Sequence, residues 1–312
     1  MRSEQPTPPI YQYQVDQAGI VLSELVERLW GDVGRHALKR GGVWLDGQRV
    51  GDPLQRVAAG VQLQLRLPPS GHYPEVDLEA ADLLYEDAWI VVVQKRSGWY
   101  VGATPWDRYG NLLVALERFL TRRDGVVPTL HLAHQLDRDT SGLLLVSKAA
   151  AANAPLQVAF ATGHIAKRYT CLCAGLPEWE ELDLQSGHGR GAGGRWRLYP
   201  LEQVGQPLPM GGRRIRRAHT RLKLAMRGPT TALVEAFPHT GRTHQIRLHM
   251  AATGHPLVGD SRYGGPACHG GQTLPGHLLH ATELQLAHPI TGGLLQLHSP
   301  LPAHFMALLN AC

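Results

Sequence analysis

His134-Gln135-Leu136-Asp137-Arg138-Asp139-Thr140-Ser141-Gly142-Leu143-Leu144-Leu145-Val146-Ser147 is the stretch from which the rest of the chain is read. A polar, glycine-ended cluster runs directly into the apolar run Leu143–Val146. A continuous apolar run of that length reads as a strand buried on both faces. The cluster ahead of it therefore falls at the rim of a sheet. Asp137 is there a candidate nucleophile or acid/base. The same residues also fit a plain turn, in which Asp137 or Asp139 only caps the backbone.

Working outward, Ala149–Phe160 reads as a helix and Tyr169–Ala174 as another strand, introduced by Lys167-Arg168. Tyr169 fits stacking on a base or packing as an ordinary strand aromatic. Upstream, Asp82–Lys95 reads as two strands around Glu86-Asp87. A third polar segment, His239 to His249, opens with a Thr240-Gly241 turn and continues as a helix. On that helix Ile246 and Met250 face a core, and His244 and Arg247 share a polar face. A buried Arg247 needs a carboxylate, for which Asp137 is the candidate; an exposed one is a solvated helix face. A zinc site fails here, because His244 and His249 stand about 140° apart around a helix and no HExxH pattern occurs. Gly187–Gly212, rich in Gly, Arg and Pro, reads as a long mobile loop.

The N-terminal part has its own pattern. Residues 1–10 read as a disordered tail. Leu22, Leu25, Val26 and Leu29 form one helical stripe. Asp32–Arg40 fits a second helix, with Asp32 as a possible N-cap, Gly41-Gly42 as its stop, and Arg35 and Lys39 as a basic edge. Val43–Val50 reads as a hairpin around a type I′ Asp46-Gly47 turn, and Val61–Leu67 alternates as a strand. Residues 11–67 thus make a small domain. Pro68-Pro69-Ser70-Gly71 opens a linker over 68–79, and 80–312 form one larger α+β domain.

Length and composition agree. At roughly 100–200 residues per domain, 312 residues suggest two, and 43% hydrophobic residues supply a core. No apolar run approaches the ~18–20 residues of a membrane helix. The opening MRSEQPTPPI has no apolar signal region. Four cysteines (Cys171, Cys173, Cys268, Cys312) fit a reduced, cytoplasmic chain. The net charge of +5 is local: Ser186–Arg221 holds eight Arg against the single acid Glu202. A local basic excess points to an anionic partner at one place. No P-loop, GxGxxG or GxSxG pattern occurs, so neither a nucleotide cofactor nor a metal is expected.

With these residues in hand, a resemblance is specific. HQLDRDTSGLLLVSK (134–148), KRYTCLCAG (167–175) and HTGRTHQIRLHMAATGHPLVGDSRYG (239–264) together resemble the RluA-type pseudouridine synthases. The likeness covers roughly residues 80–305, in the family's order and spacing. Residues 11–67 resemble an S4-type RNA-binding domain through their helix pair, VWLDGQRV hairpin and closing strand. The resemblance implies an α+β fold with a central mixed, mainly antiparallel sheet, plus a small N-terminal S4-like domain. It implies an isomerase that breaks the N1–C1′ bond of a uridine in RNA, turns the uracil and rejoins it through C5, with no cofactor.

Residue by residue, it makes Asp137 the catalytic aspartate, acting by attack at C1′ or by removing a sugar proton. It makes Tyr169 the ring that packs on the target base, and Arg247 the partner of the aspartate. Ile246 and Leu248 line the uracil pocket or the core beneath it. Gln135, Arg138, Arg242, His244, Arg213 and Arg214 become candidate RNA contacts, with Arg35 and Lys39 on the small domain. The chain departs from the family at Gln135, where the pattern has Arg, and at Gln94-Lys95-Arg96, where it has Asn-Lys-Pro. The expected substrate is large-subunit ribosomal RNA, with transfer RNA the alternative, and the expected state a monomer. Two other classes compete. A noncatalytic RNA-binding protein is favoured only by Gln135. A glycoside hydrolase would need a second cooperating carboxylate.

Overall fold

The computed structural model describes residues 9–191, 194–209 and 211–311. The expected tail therefore lies outside the described residues apart from its last two positions, and Ile10 already opens a strand. The chain divides into two compact units, one of residues 9–78 with 99–127, the other of 79–98 with 128–311.

The first unit runs β1 (Ile10–Gln14), α1 (Leu22–Arg40), β2 (Val43–Leu45), β3 (Gln48–Arg49), β4 (Gln62–Arg66) and, after an excursion, α2 (Leu112–Asp124). The strands form one sheet in the order β1-β4-β2-β3. Leu22, Leu25, Val26, Val43, Leu63 and Leu65 make its core. Gly31, at φ 55° and ψ −139°, breaks α1 just ahead of Asp32, and Gly41 caps it in the left-handed region. Asp46 and Gly47 both have positive φ, as a type I′ turn requires.

Two expectations change here. Residues 68–79 are not a free linker, since Val76 and Leu78 are buried. Residues 99–127 do not belong with the larger domain. Buried Asp107 binds Arg40 at the end of α1, Arg108 N–H donates to the Arg40 carbonyl at 2.8 Å, and the Trp44 indole donates to the Pro105 carbonyl at 2.7 Å.

The second unit contributes β5 (Leu83–Glu86), β6 (Ile90–Lys95), β7 (His131–Leu132), β8 (Ser141–Ser147), α3 (Ala150–Thr162), β9 (Ala166–Ala174), β10 (Glu181–Arg190), β11 (Trp196–Tyr199), β12 (Arg216–Arg227), β13 (Thr231–Pro238), α4 (Gln245–Ala252), the short hairpin β14 (Cys268–His269) and β15 (Gln272–Thr273), β16 (Leu279–Ala287), β17 (Leu294–His298) and α5 (Ala303–Leu309). One large sheet runs β11-β10-β12-β13-β9-β16-β8-β6-β5. It is mixed and mainly antiparallel, with β16 and β8 parallel. All seven residues of β8 are buried, as its apolar run demands. Alternation along the strands fills several packed clusters: Leu143 and Leu145 pack with Leu156 of α3, Cys171 with Ile246 and Met250 of α4, and Leu172 with Phe305 and Leu309 of α5.

The described part of Gly187–Gly212 is a loop only in its second half, a largely exposed run of turns after Tyr199; the first half is mainly strand. It completes β10 and forms β11, and His188 and Tyr199 are buried. Gly187 serves close packing rather than mobility: a Cβ there would stand 2.7 Å from Ile215 Cγ2 and 2.9 Å from Tyr199 Cβ.

Candidate functional site

Asp137 lies in the turn between β7 and β8, and the backbone of that turn is tied down from below. Lys95, fully buried at the end of β6, donates from Nζ to the carbonyls of Arg138 (2.6 Å), Thr140 (2.7 Å) and Arg96 (3.1 Å). Gly98 N–H donates to the Arg138 carbonyl (2.9 Å) and Ser97 Oγ to that of Asp139 (2.9 Å). Burial pulls the Lys95 ammonium down to about 7, against the opposing pull of Asp139 and Asp137. Three acceptors call for the three hydrogens of the charged form. The Asp137 side chain leaves this anchored turn for a cleft of about 540 Å³ within the second unit.

Arg247 of α4 is buried and holds two carboxylates. Its Nη1 donates to Asp137 Oδ2 at 2.9 Å. Its Nε and Nη2 fork onto Asp260, at 2.7 Å to Oδ2 and 2.9 Å to Oδ1. Burial opposes ionisation of Asp137, but His244, Arg247 and His277 outweigh it and hold the carboxyl below its usual range. Of the three, Arg247 carries its charge at neutral pH. Burial pushes His244 down to about 4 and His277 well below its ordinary value. Arg247 itself is raised: burial works against its charge, and Asp260 and Asp137 prevail.

His244 precedes α4 in the left-handed region, at φ 57° and ψ 22°, a conformation costly for a side chain with a Cβ. Its Nδ1 lies 2.6 Å from the Tyr263 hydroxyl and its Nε2 3.7 Å from Asp137 Oδ1. The carboxylate favours the tautomer with the hydrogen on Nε2, so the tyrosine donates to Nδ1.

Tyr169 walls the cleft from β9. Its partners across both ladders are Ala236 and Ala281, which leave room beside the ring. Burial, and then Asp137, raise its phenol, so it stays protonated. Gln245 also lines the cleft. Its Oε1 accepts from Thr240 Oγ1 (2.6 Å) and Arg242 N–H (3.0 Å), and its Nε2 donates to the His219 carbonyl (3.0 Å) and Thr220 Oγ1 (2.8 Å).

Seven of the residues singled out from sequence line this one cleft: Gln135, Asp137, Tyr169, Arg242, His244, Ile246 and Arg247. The others do not. Arg138 forks onto Asp139 (2.6 and 3.0 Å). Leu248 is buried away from the cleft, because two residues along a helix turn it about 200° from Ile246. Arg213 and Arg214 are exposed before β12, and Arg214 donates to the Gly205 carbonyl at 2.5 Å. Arg35 and Lys39 belong to the other unit, and Arg35 is paired there with Asp32 and Glu27 of its own helix, so the expected basic edge is partly neutralised. Sequence reasoning missed Asp260, Tyr263 and Lys95. A buried arginine announces one carboxylate, and nothing in the pattern announces a second.

Among the described residues lining the cleft, Asp137 is the single acid. The paired carboxylates of a glycoside hydrolase are absent from that lining. Among the described residues no group of three or more His, Cys, Asp or Glu could hold a metal, and no helix is long and apolar enough to cross a membrane. The arrangement is thus one ionised carboxylate, oriented by an arginine, beside a protonated tyrosine in a cleft.

Residues 89–252 match the family model for RNA pseudouridylate synthase. The chain belongs to that family. RNA pseudouridine synthase 1 of Oryza sativa subsp. japonica is 34% identical over 284 residues, which cover 79% of this chain and 80% of that one. Ribosomal large subunit pseudouridine synthase D of Vibrio parahaemolyticus serotype O3:K6 is 31% identical over 314 residues, 95% of this chain and 91% of that one. The solved structure of Human RNA Pseudouridylate Synthase Domain Containing 4 superposes with a TM-score of 0.57 at 22% identity, over 73% of this chain and 92% of that one, and so shares its fold. This pseudouridine synthase is accordingly an isomerase acting on uridine in RNA.

Proposed function

We propose that Asp137 is the catalytic aspartate of this isomerase and that its substrate is a uridine of large-subunit ribosomal RNA. The observation that carries the first part is the Arg247–Asp137 pair (2.9 Å) in a cleft walled by Tyr169. The target uridine leaves its stack, at a cost of a few kcal/mol, and packs against Tyr169. In one course Asp137 attacks C1′, the N1–C1′ bond breaks and the uracil leaves with the electron pair on N1. After rotation C5 attacks C1′ and releases the carboxylate; C5 loses a proton and N1 gains one. In the other course Asp137 removes a sugar proton and the glycosidic bond breaks by elimination, leaving a glycal and the uracil anion; C5 then adds to C1′ while Asp137 returns the proton to the sugar carbon, and C5 loses a proton as N1 gains one. Both need an ionised, oriented carboxylate, and neither needs a cofactor.

The choice of RNA is supported by the relative named for the large ribosomal subunit, whose likeness runs through 95% of this chain, the N-terminal unit included. Residues 11–67 act in this reading as an S4-like RNA-binding domain that raises the local concentration of substrate. Gln135 at the rim of the cleft replaces a charged contact with a neutral one and tunes the choice of site.

The test is pseudouridine mapping of total RNA from cells with and without the gene, complemented by wild type or by Asp137→Asn. A large-subunit position that disappears and returns with wild type alone is expected. A position that returns with Asp137→Asn moves the chemistry to another residue, and a lost position in transfer RNA changes the substrate.

A further inference from the structure

The cleft holds a second charged feature that the Asp137 chemistry does not use. Strand alternation divides the basic residues that open β9. Arg168 binds both Glu235 and Glu283. Lys167 and Tyr169 share the other face and line the cleft together, about 7 Å apart along the strand. The Lys167 ammonium rests against the Thr240–Arg242 turn, where a Cβ on Gly241 would be 3.9 Å away, and 5.9 Å from the Phe160 ring centroid. Arg242 reaches the same place. Its Nε donates to the Arg217 carbonyl at 2.9 Å, and it lines a cleft whose one lining acid, among the described residues, is Asp137. The charges felt by Lys167 and by Arg242 come from other cations: burial first, then Arg242, lowers Lys167, and burial first, then Arg216, lowers Arg242.

Two half-buried cations thus share one cleft, and among the described residues no carboxylate pairs with either to offset their desolvation. The nearby acids of β13 and β16 are spent on Arg168. An anion brought by the ligand supplies what is missing. In a cleft already read as a uridine site, a phosphodiester is the anion at the right distance: with the base on Tyr169, one strand repeat separates the ring from Lys167, and the ribose spans that gap. We propose that Lys167 and Arg242 form a phosphate clamp that seats the phosphodiester of the flipped nucleotide, separate from the Asp137–Arg247 pair that carries the chemistry. The inference rests on the uridine reading for the identity of the ligand and on the unbalanced charge for the site.

A phosphate contact is read in the salt dependence of binding, where a merely structural residue leaves no mark. The probe is a fluorescent decauridylate, titrated with the full chain over a series of salt concentrations. Neutralising one phosphate contact on a single strand lowers the slope of log Kobs against log salt by about 0.7. Lys167→Met is expected to lower the slope by that amount, Arg242→Gln similarly, and Lys167→Arg to restore it. Weaker binding with an unchanged slope in both neutral variants, or no change at all, overturns the clamp. Mapping with the same variants separates the two readings. Slopes that coincide while pseudouridine still forms refute the clamp alone. A wild type that shows the slope effect but forms no pseudouridine leaves the clamp standing and removes the proposed activity.

Discussion

Asp260 shows how a single buried residue sets the orientation of a side-chain pair it does not itself complete. Arg247 reaches Asp137 through Nη1 alone, and its other nitrogens are fixed by the Asp260 fork. Asp260 is itself buried, so the guanidinium plane is set by a group that has nowhere else to go. Asp260→Asn keeps the volume but replaces two charge-assisted acceptors with one oxygen and a donor that points at a donor. Removing one partner of a buried ion pair costs about 3–5 kcal/mol. We expect the urea midpoint to fall accordingly and turnover to drop by at least about tenfold, as the aspartate loses its fixed orientation. A variant with wild-type turnover and midpoint would show that Asp137 needs no second carboxylate behind its arginine. The pairing of Arg247 with Asp137, 110 residues apart, was legible because a buried arginine demands an acid. The presence of two acids was not, because Asp260 lies in a loop stretch that carries no periodic signal.

At the scale of elements, β16 couples the two walls of the cleft. Ala281 pairs in parallel with Gly142, five residues after Asp137, and antiparallel with Tyr169 on its other side. The approach to β8 is close enough that a Cβ on Gly142 would fall 2.7 Å from Ala281 N, and Gly142 has φ 100°. Gly142→Ala therefore meets both a strained backbone and an occupied space. We expect a loss of at least about 2 kcal/mol, seen as a lower urea midpoint with an unchanged m-value. Activity falls further than stability, because Ala281 carries Tyr169 with it. A loss below about 0.5 kcal/mol would mean that the β8–β16 contact yields freely.

Elements of this kind were legible from sequence where their cause is local. The apolar run gives β8, Asp46-Gly47 gives the hairpin, and Gly41 ends α1. They were misread where glycine stands for proximity. Gly187 looked like a loop residue because sequence does not distinguish a glycine that needs freedom from one that needs room. Residues 99–127 were assigned to the wrong unit for a different reason: the Asp107–Arg40 pair that places them spans 67 positions.

For the whole molecule, the notable store of free energy is a set of histidines kept neutral by burial. Burial lowers His134 to about 3 and His244, His249 and His280 to about 4, and takes His277 well below its ordinary value. Each has a structural use for its neutral form. His134 Nε2 accepts the Leu145 N–H at 3.0 Å. His249 lies between Thr220 and Ser186 (2.8 and 3.0 Å), and His280 between Ser141 and Ser299 (2.8 and 3.0 Å). In the unfolded chain they titrate near 6.5. Below that pH the unfolded state binds more protons than the folded one, so stability falls as pH falls. The contribution is fully present above about pH 6.5 and is lost as the pH drops toward 4. Each histidine adds up to about 1.4 kcal/mol per pH unit to the slope across that window. Asp137, whose folded value is also lowered, pulls in the same direction at its acid end. A thermal melt series should therefore give a Tm that falls steeply from pH 6.5 to 4, while between pH 7 and 8 the histidines add no slope and Lys95, lowered to about 7 in the fold, adds a shallow rise. His280→Gln should lower Tm at pH 7, because it breaks the buried Ser141–Ser299 link, while making the decline shallower by one histidine's share. An equal Tm at pH 7 and 4.5 would mean that these side chains take up protons in the folded state at their ordinary pH, and that the β8–β16 interior is open to water.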